Sequence, residues 1–60
     1  MTKVNIINKA IEEADLIFLD GGLIKPYVID DNELFYLDMV TYENKFVKLC
    51  ELGEVKSYEQ

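Results

Sequence analysis

The stretch LIFLDGGLIKPYVIDDNELFYLDMV, residues 16–40, decides the fold. Runs of branched and aromatic residues, Leu16 to Leu19, Leu23 to Ile29 and Leu34 to Tyr42, are separated by Asp20-Gly21-Gly22 and by Asp30-Asp31-Asn32-Glu33. Such side chains suit a pleated, half-buried surface. Asp-Gly and Gly-Gly supply the positive φ angles that a tight primed turn demands. The stretch therefore predicts successive antiparallel hairpins.

The two-residue period of a strand lets the register be tested. An even loop at the first hairpin puts Ile17 and Leu19 on one face with Ile24, Pro26 and Val28. An even loop at the second adds Phe35, Leu37 and Met39. The other face then receives Leu16, Phe18, Leu23 and Ile29, with Tyr27 opposite Tyr36, Lys25 opposite Asp38, and Val40 and Tyr42 beyond. The first face is the more uniformly apolar and is expected to be the core. Pro26 sits inside the second run, where its missing N–H removes a ladder bond unless a bulge or solvent lies on that side.

Working outward, Val4, Ile7, Ile11 and Ala14 recur at helical spacing behind Thr2, with Ile6 and Ala10 widening the stripe. One amphipathic helix of about three turns is predicted before the strands. On the other side, Phe46 to Leu52 reads as a fourth strand behind an odd-length loop, which turns Val47 and Leu49 to the core and Lys48 away. Lys45 to Leu52 also fits a short helix, with Phe46, Leu49 and Cys50 on one side and Gly53 ending it. Val55 to Tyr58 is a candidate fifth strand, with Glu51 opposite Lys56. The fold expected is α+β, in the order αββββ: one N-terminal helix on an antiparallel sheet of four short strands, or five, in a single domain spanning residues 1–60.

A chain of this length buries only about 60% of the surface it exposes when unfolded. Staples are therefore usual, but Cys50 has no second cysteine to pair with, and with no His a structural zinc site is not available. A partner chain is the remaining route. The lone thiol, the absence of a signal-peptide pattern and the lack of a membrane-length apolar run make the cytoplasm the expected compartment.

Composition excludes much chemistry. Nucleophilic catalysis lacks its usual base without His, and Cys50, flanked by Glu51, is expected to be inert and half-buried. Carboxylate catalysis needs a cleft that a small domain seldom encloses. No enzymatic activity is expected, and no cofactor. Asp30, Asp31, Asn32 and Glu33 are hard oxygen donors, but four consecutive residues cannot converge on one ion and the calcium-loop spacing is absent, so no metal is expected.

Twelve acids against six lysines give a net charge of −6, which opposes direct nucleic-acid binding. Full duplex mimicry is also disfavoured: a molecule ~27 Å across carries one net charge per ~4.5 Å, against one per ~1.7 Å in DNA. An acidic surface steers instead toward a basic protein.

The second sheet face is too apolar and aromatic for a solvated surface, and tyrosine-bearing aromatic patches are typical of interfaces. Phe18, Tyr27, Tyr36 and Tyr42, flanked by Asp30, Asp31 and Glu33, are the candidate partner-binding residues. They suggest a small acidic binding protein, an inhibitor or adaptor docking on a larger, basic protein. Chains of this kind are common among virus-, phage- and mobile-element-encoded inhibitors, an association of class only. The alternatives are a structural homo-oligomer, most simply a dimer paired through the same face or through an edge strand, and a subunit of a larger complex that folds poorly alone.

Overall fold

The computed structural model describes residues 2–58. Helix α1 (Lys3–Glu13) is followed by strands β1 (Ile17–Leu19), β2 (Gly22–Asp30), β3 (Glu33–Asp38) and β4 (Asn44–Lys48). A 3-10 turn (Leu49–Glu51) and strand β5 (Val55–Ser57) complete the order. The strands form one antiparallel sheet, β4-β3-β2-β1-β5, so the α+β expectation holds and the fifth strand is present. The shortest dimension of the molecule, 20 Å, is that of a sheet with one layer of helix on it.

Helix α1 starts where Thr2 accepts the Asn5 N–H at 3.2 Å, satisfying one of the free donors of the first turn. Ile7 and Ala10 are buried, and Ile6 and Ile11 pack beside them. Ala14 is not part of this stripe. It adopts the left-handed conformation, φ 53°, and closes the helix while Asp15 N–H reaches back to the Ala10 carbonyl at 2.8 Å. A side chain pays a steric penalty there that glycine escapes.

The first two turns are tight. Asp20 and Gly21 have φ of 50° and 81°, and Asp31 and Asn32 have 51° and 61°, the doubly positive geometry that matches strand twist in two-residue hairpins. Both loops are even, as the sequence predicts. The register nevertheless changes inside β2. Asp30 pairs with Glu33, Ile29 with Leu34 and Val28 with Phe35, but the next pair is Pro26 with Tyr36, leaving Tyr27 as the extra residue of a bulge.

The consequence is an exchange of faces. Lys25 stands opposite Leu37 and Asp38 opposite Ile24, in place of the expected Tyr27–Tyr36 and Lys25–Asp38 pairs. Ile29, Leu34 and Tyr36 turn toward the helix, and Val28, Phe35 and Leu37 turn away, the reverse of the sequence expectation. Leu34 is fully buried, as are Ile7 and, within 1%, Ile17; Ile24, Ala10 and Val55 complete the core.

The parity change expected in the third hairpin thus occurs one hairpin earlier. Residues 38–43 form an even loop between the pair Leu37–Asn44, and Val47 and Leu49 still pack on the core with Lys48 outside. The segment after Asn44 is neither one long strand nor one helix: β4 ends at Lys48 and the 3-10 turn follows.

From there the chain crosses the helix-side face, with Leu49 and Leu52 against the core and the Lys3 ammonium on the Leu52 carbonyl at 3.2 Å. β5 then pairs with β1, setting Lys56 opposite Phe18 and not opposite Glu51. Asp20 locks this return: its N–H donates to the Glu54 carbonyl at 2.8 Å and its carboxylate accepts the Glu54 N–H at 2.9 Å. A Cβ at Gly53 would overlap that carboxylate.

Two sets of substitutions test this arrangement by urea unfolding. Leu34→Ala should cost about 3 kcal/mol, the usual penalty of an emptied core site, and Phe35→Ser less than half as much. A register without the bulge gives the opposite ranking. Gly53→Ala should destabilise by about 1–2 kcal/mol, since the Asp20 carboxylate must give up its hydrogen bond, while Ala14→Gly should stabilise by about 0.5–1 kcal/mol through relief of the left-handed alanine.

A candidate protein-docking face

The bulge decides what the far side of the sheet presents. Cross-strand partners share a face, so Val28, Phe35 and Phe46 line up side by side across β2, β3 and β4. The Phe35 and Phe46 rings lie 5.9 Å apart. Toward the other edge, Phe18 pairs with Leu23 and its ring lies 5.7 Å from that of Tyr58. Leu37, beside Lys25, joins the two groups.

Helix and crossover both lie on the opposite side. The far face is accordingly open: Phe46 is 60% exposed, Val28 48% and the bulge residue Tyr27 45%. The half-buried Phe18, Leu23, Phe35 and Leu37 lie between them. A contiguous apolar surface of this kind on a small domain marks a contact site.

Charge is unevenly distributed over the molecule. Register places Lys25, Lys48 and Lys56 on the far face together with Asp30 and Glu33. Three of the six lysines are thus gathered on one side of a chain of net charge −6. Asp30, Glu33 and Lys48 form one row at the end of the face, with Asp31 in the turn beyond.

The candidate residues read from the sequence are only partly brought together. Phe18, Asp30 and Glu33 lie on the far face, and Tyr27 and Asp31 adjoin it. Tyr36 does not: it points to the helix side and packs on the core, because Tyr27 takes up the extra position in the ladder. Tyr42 is 72% exposed but sits at φ 60° in the 38–43 loop, away from the sheet. Alternation along the sequence predicts Val28, Phe35 and Leu37 in the core and gives Phe46 no face, so these four are the members that the reading of the residues misses. Pro26, next to the bulge, is a signal in the sequence that bears on their placement.

The 38–43 loop beside β4 is organised by Asp38. Its carboxylate accepts the Val40 and Thr41 N–H groups at 2.8 and 3.3 Å and the Lys45 ammonium at 3.0 Å. The hydrogen bond from Lys45 and then that from Val40 hold the Asp38 carboxyl below its ordinary range, and the same contact raises Lys45. A depressed carboxyl contributes stability that is present above its unfolded value and lost as pH falls through the folded one.

Among the described residues, no three His, Cys, Asp or Glu side chains are placed to hold one metal ion, and no helix is long and apolar enough to cross a membrane. Cys50, expected half-buried, is exposed. No family model matches the chain, and no curated protein or solved structure matches it.

The Asp38 arrangement carries its own test. Asp38→Asn should lower the urea midpoint at neutral pH. The gap to the unsubstituted protein should close as the solution is acidified through and below the ordinary carboxylate range. A gap independent of pH would show that the charge on Asp38 contributes nothing.

Proposed function

We propose that this chain is a small, acidic, non-catalytic binding protein, an inhibitor or adaptor, that docks the far face of its sheet on a larger protein. The observation that carries this reading is the open apolar row Val28–Phe35–Phe46, continued toward Phe18 and Leu23. Covering Phe46, Val28 and Tyr27 would remove on the order of 300 Å² of apolar surface from water, a gross gain of roughly 7 kcal/mol at ~25 cal/mol per Å². Association entropy and side-chain ordering consume much or all of that. A stable complex therefore draws in the half-buried Phe35 and Leu37 and the charged end row as well.

On the face itself Lys25, Lys48 and Lys56 balance Asp30, Glu33 and the adjoining Asp31, so its charges orient a partner of mixed charge, while the net charge of −6 carried by the rest of the molecule speeds the encounter with a basic one. The rate of association then falls as salt rises, because the Debye length shrinks to about 8 Å at physiological ionic strength. An exposed, unpaired thiol at Cys50 supports placing the protein in the reducing cytoplasm.

Tagged protein carrying Val28→Ser with Phe46→Ser tests the reading, with Val40→Ser as the control, since Val40 is 74% exposed in the 38–43 loop. The unsubstituted chain and the control should retain one protein in stoichiometric amount, and the double variant should lose it while keeping its fold by circular dichroism. Retention of nothing by the unsubstituted chain, or of the same protein by the double variant, refutes docking through this face.

A further inference from the structure

β4 is an edge strand, and its ladder to β3 fixes where its free backbone groups point. Leu49 N–H donates to the Asn32 carbonyl at 2.9 Å, and the Glu43 carbonyl accepts from Asp38 N–H at 2.9 Å. In an antiparallel ladder each residue directs its N–H and C=O to one side, and successive residues alternate. Residues 43, 45, 47 and 49 therefore face β3. Asn44, Phe46 and Lys48 present their N–H and C=O groups to the open edge, evenly spaced about Phe46.

We propose that this edge pairs antiparallel with β4 of a second copy, across a two-fold axis at Phe46. In that register Phe46 meets Phe46 of the second copy, and Asn44 meets Lys48 at both ends. Each of these is a hydrogen-bonded pair that exchanges two N–H···O bonds. Between them, Lys45 stands opposite Val47.

The strand suits its own copy electrostatically. Asn44–Lys48 contains no acid in a chain of net charge −6, so the acidic repulsion that opposes self-association is weakest here. Lysines on an edge normally discourage pairing, but neither meets a like charge in this register: Lys48 faces an amide, and Lys45 is already held by Asp38. The opposite edge, β5, has only three residues and offers a shorter template. An isologous contact of this kind closes on itself and does not propagate.

The pairing also joins the two far faces. The row Val28–Phe35–Phe46 runs on through Phe46, Phe35 and Val28 of the second copy without a break, and Phe46, the most exposed residue of the row, acquires an aromatic neighbour. This dimer leaves the far face open, so it stands whether or not a foreign protein docks there.

A 60-residue chain can be made by chemical synthesis, which allows Phe46 to be replaced by N-methyl-phenylalanine. That change removes one outward donor and leaves the side chain and the β3–β4 ladder in place. Under reducing conditions, the unsubstituted protein should sediment as a dimer at high concentration. Its Asn44, Phe46 and Lys48 amides should exchange with deuterium more slowly by roughly tenfold or more than at low concentration. The N-methyl chain should remain folded, keep protection at Lys45 and Val47, and sediment as a monomer.

A protein that is monomeric at every concentration overturns the proposal. So does a dimer whose Asn44, Phe46 and Lys48 amides stay unprotected, which would signify packing through the far face, and so does an N-methyl chain that dimerises as well as the original. Failure here leaves the capture result with Val28→Ser and Phe46→Ser unaffected, so the two readings fail separately.

Discussion

One extra residue governs this structure. Beside Pro26, Tyr27 stands unpaired between two stretches of regular pairing. A strand that gains one residue reverses which side every later residue faces. Because the reversal lies in the middle of β2, it carries β3 and β4 with it through two even loops. Leu34 goes under the helix and Phe35 away from it, and the aromatic row on the far side is a product of that exchange.

Alternation alone would have given a poorer molecule. Without the bulge, the helix would cover Val28, Phe35 and Leu37 and leave Ile29, Leu34 and Tyr36 outside. With it, the fully buried site goes to Leu34, whose compact side chain shares one buried cluster with Ile7 and Ala10, and the large Phe rings move to the side where nothing limits their volume. Packing density in a small core penalises overfilling as firmly as voids, which rationalises the distribution.

What could be read from the residues follows the range of the interactions involved. Helix, strands and both tight turns are set by neighbours within a few positions: Thr2 caps, Asp20-Gly21 and Asp31-Asn32 take positive φ, and each was legible. The pairing of β5 with β1, and with it Lys56 beside Phe18, depends on a contact across most of the chain, where local reading sets Lys56 opposite Glu51. The candidate site was legible as a property, a second greasy face, while its membership was not. One shifted residue moved Tyr36 inward and Val28, Phe35 and Leu37 outward. Pro26 had marked the position, but it did not reveal on which side of the proline the extra residue would fall.

The return of the chain to β1 has a consequence for how the molecule is made. During synthesis the helix, the first hairpin and the meander through β4 emerge from the ribosome before Val55 does. Until then Ile17–Leu19 is a bare strand edge and the core lacks one of its buried side chains. The Asp20 carboxylate waits in the first turn for an N–H that lies 34 residues further along the chain. A nascent chain stalled near Gly53, or one trimmed there by a protease, exposes the sticky edge that β5 otherwise covers.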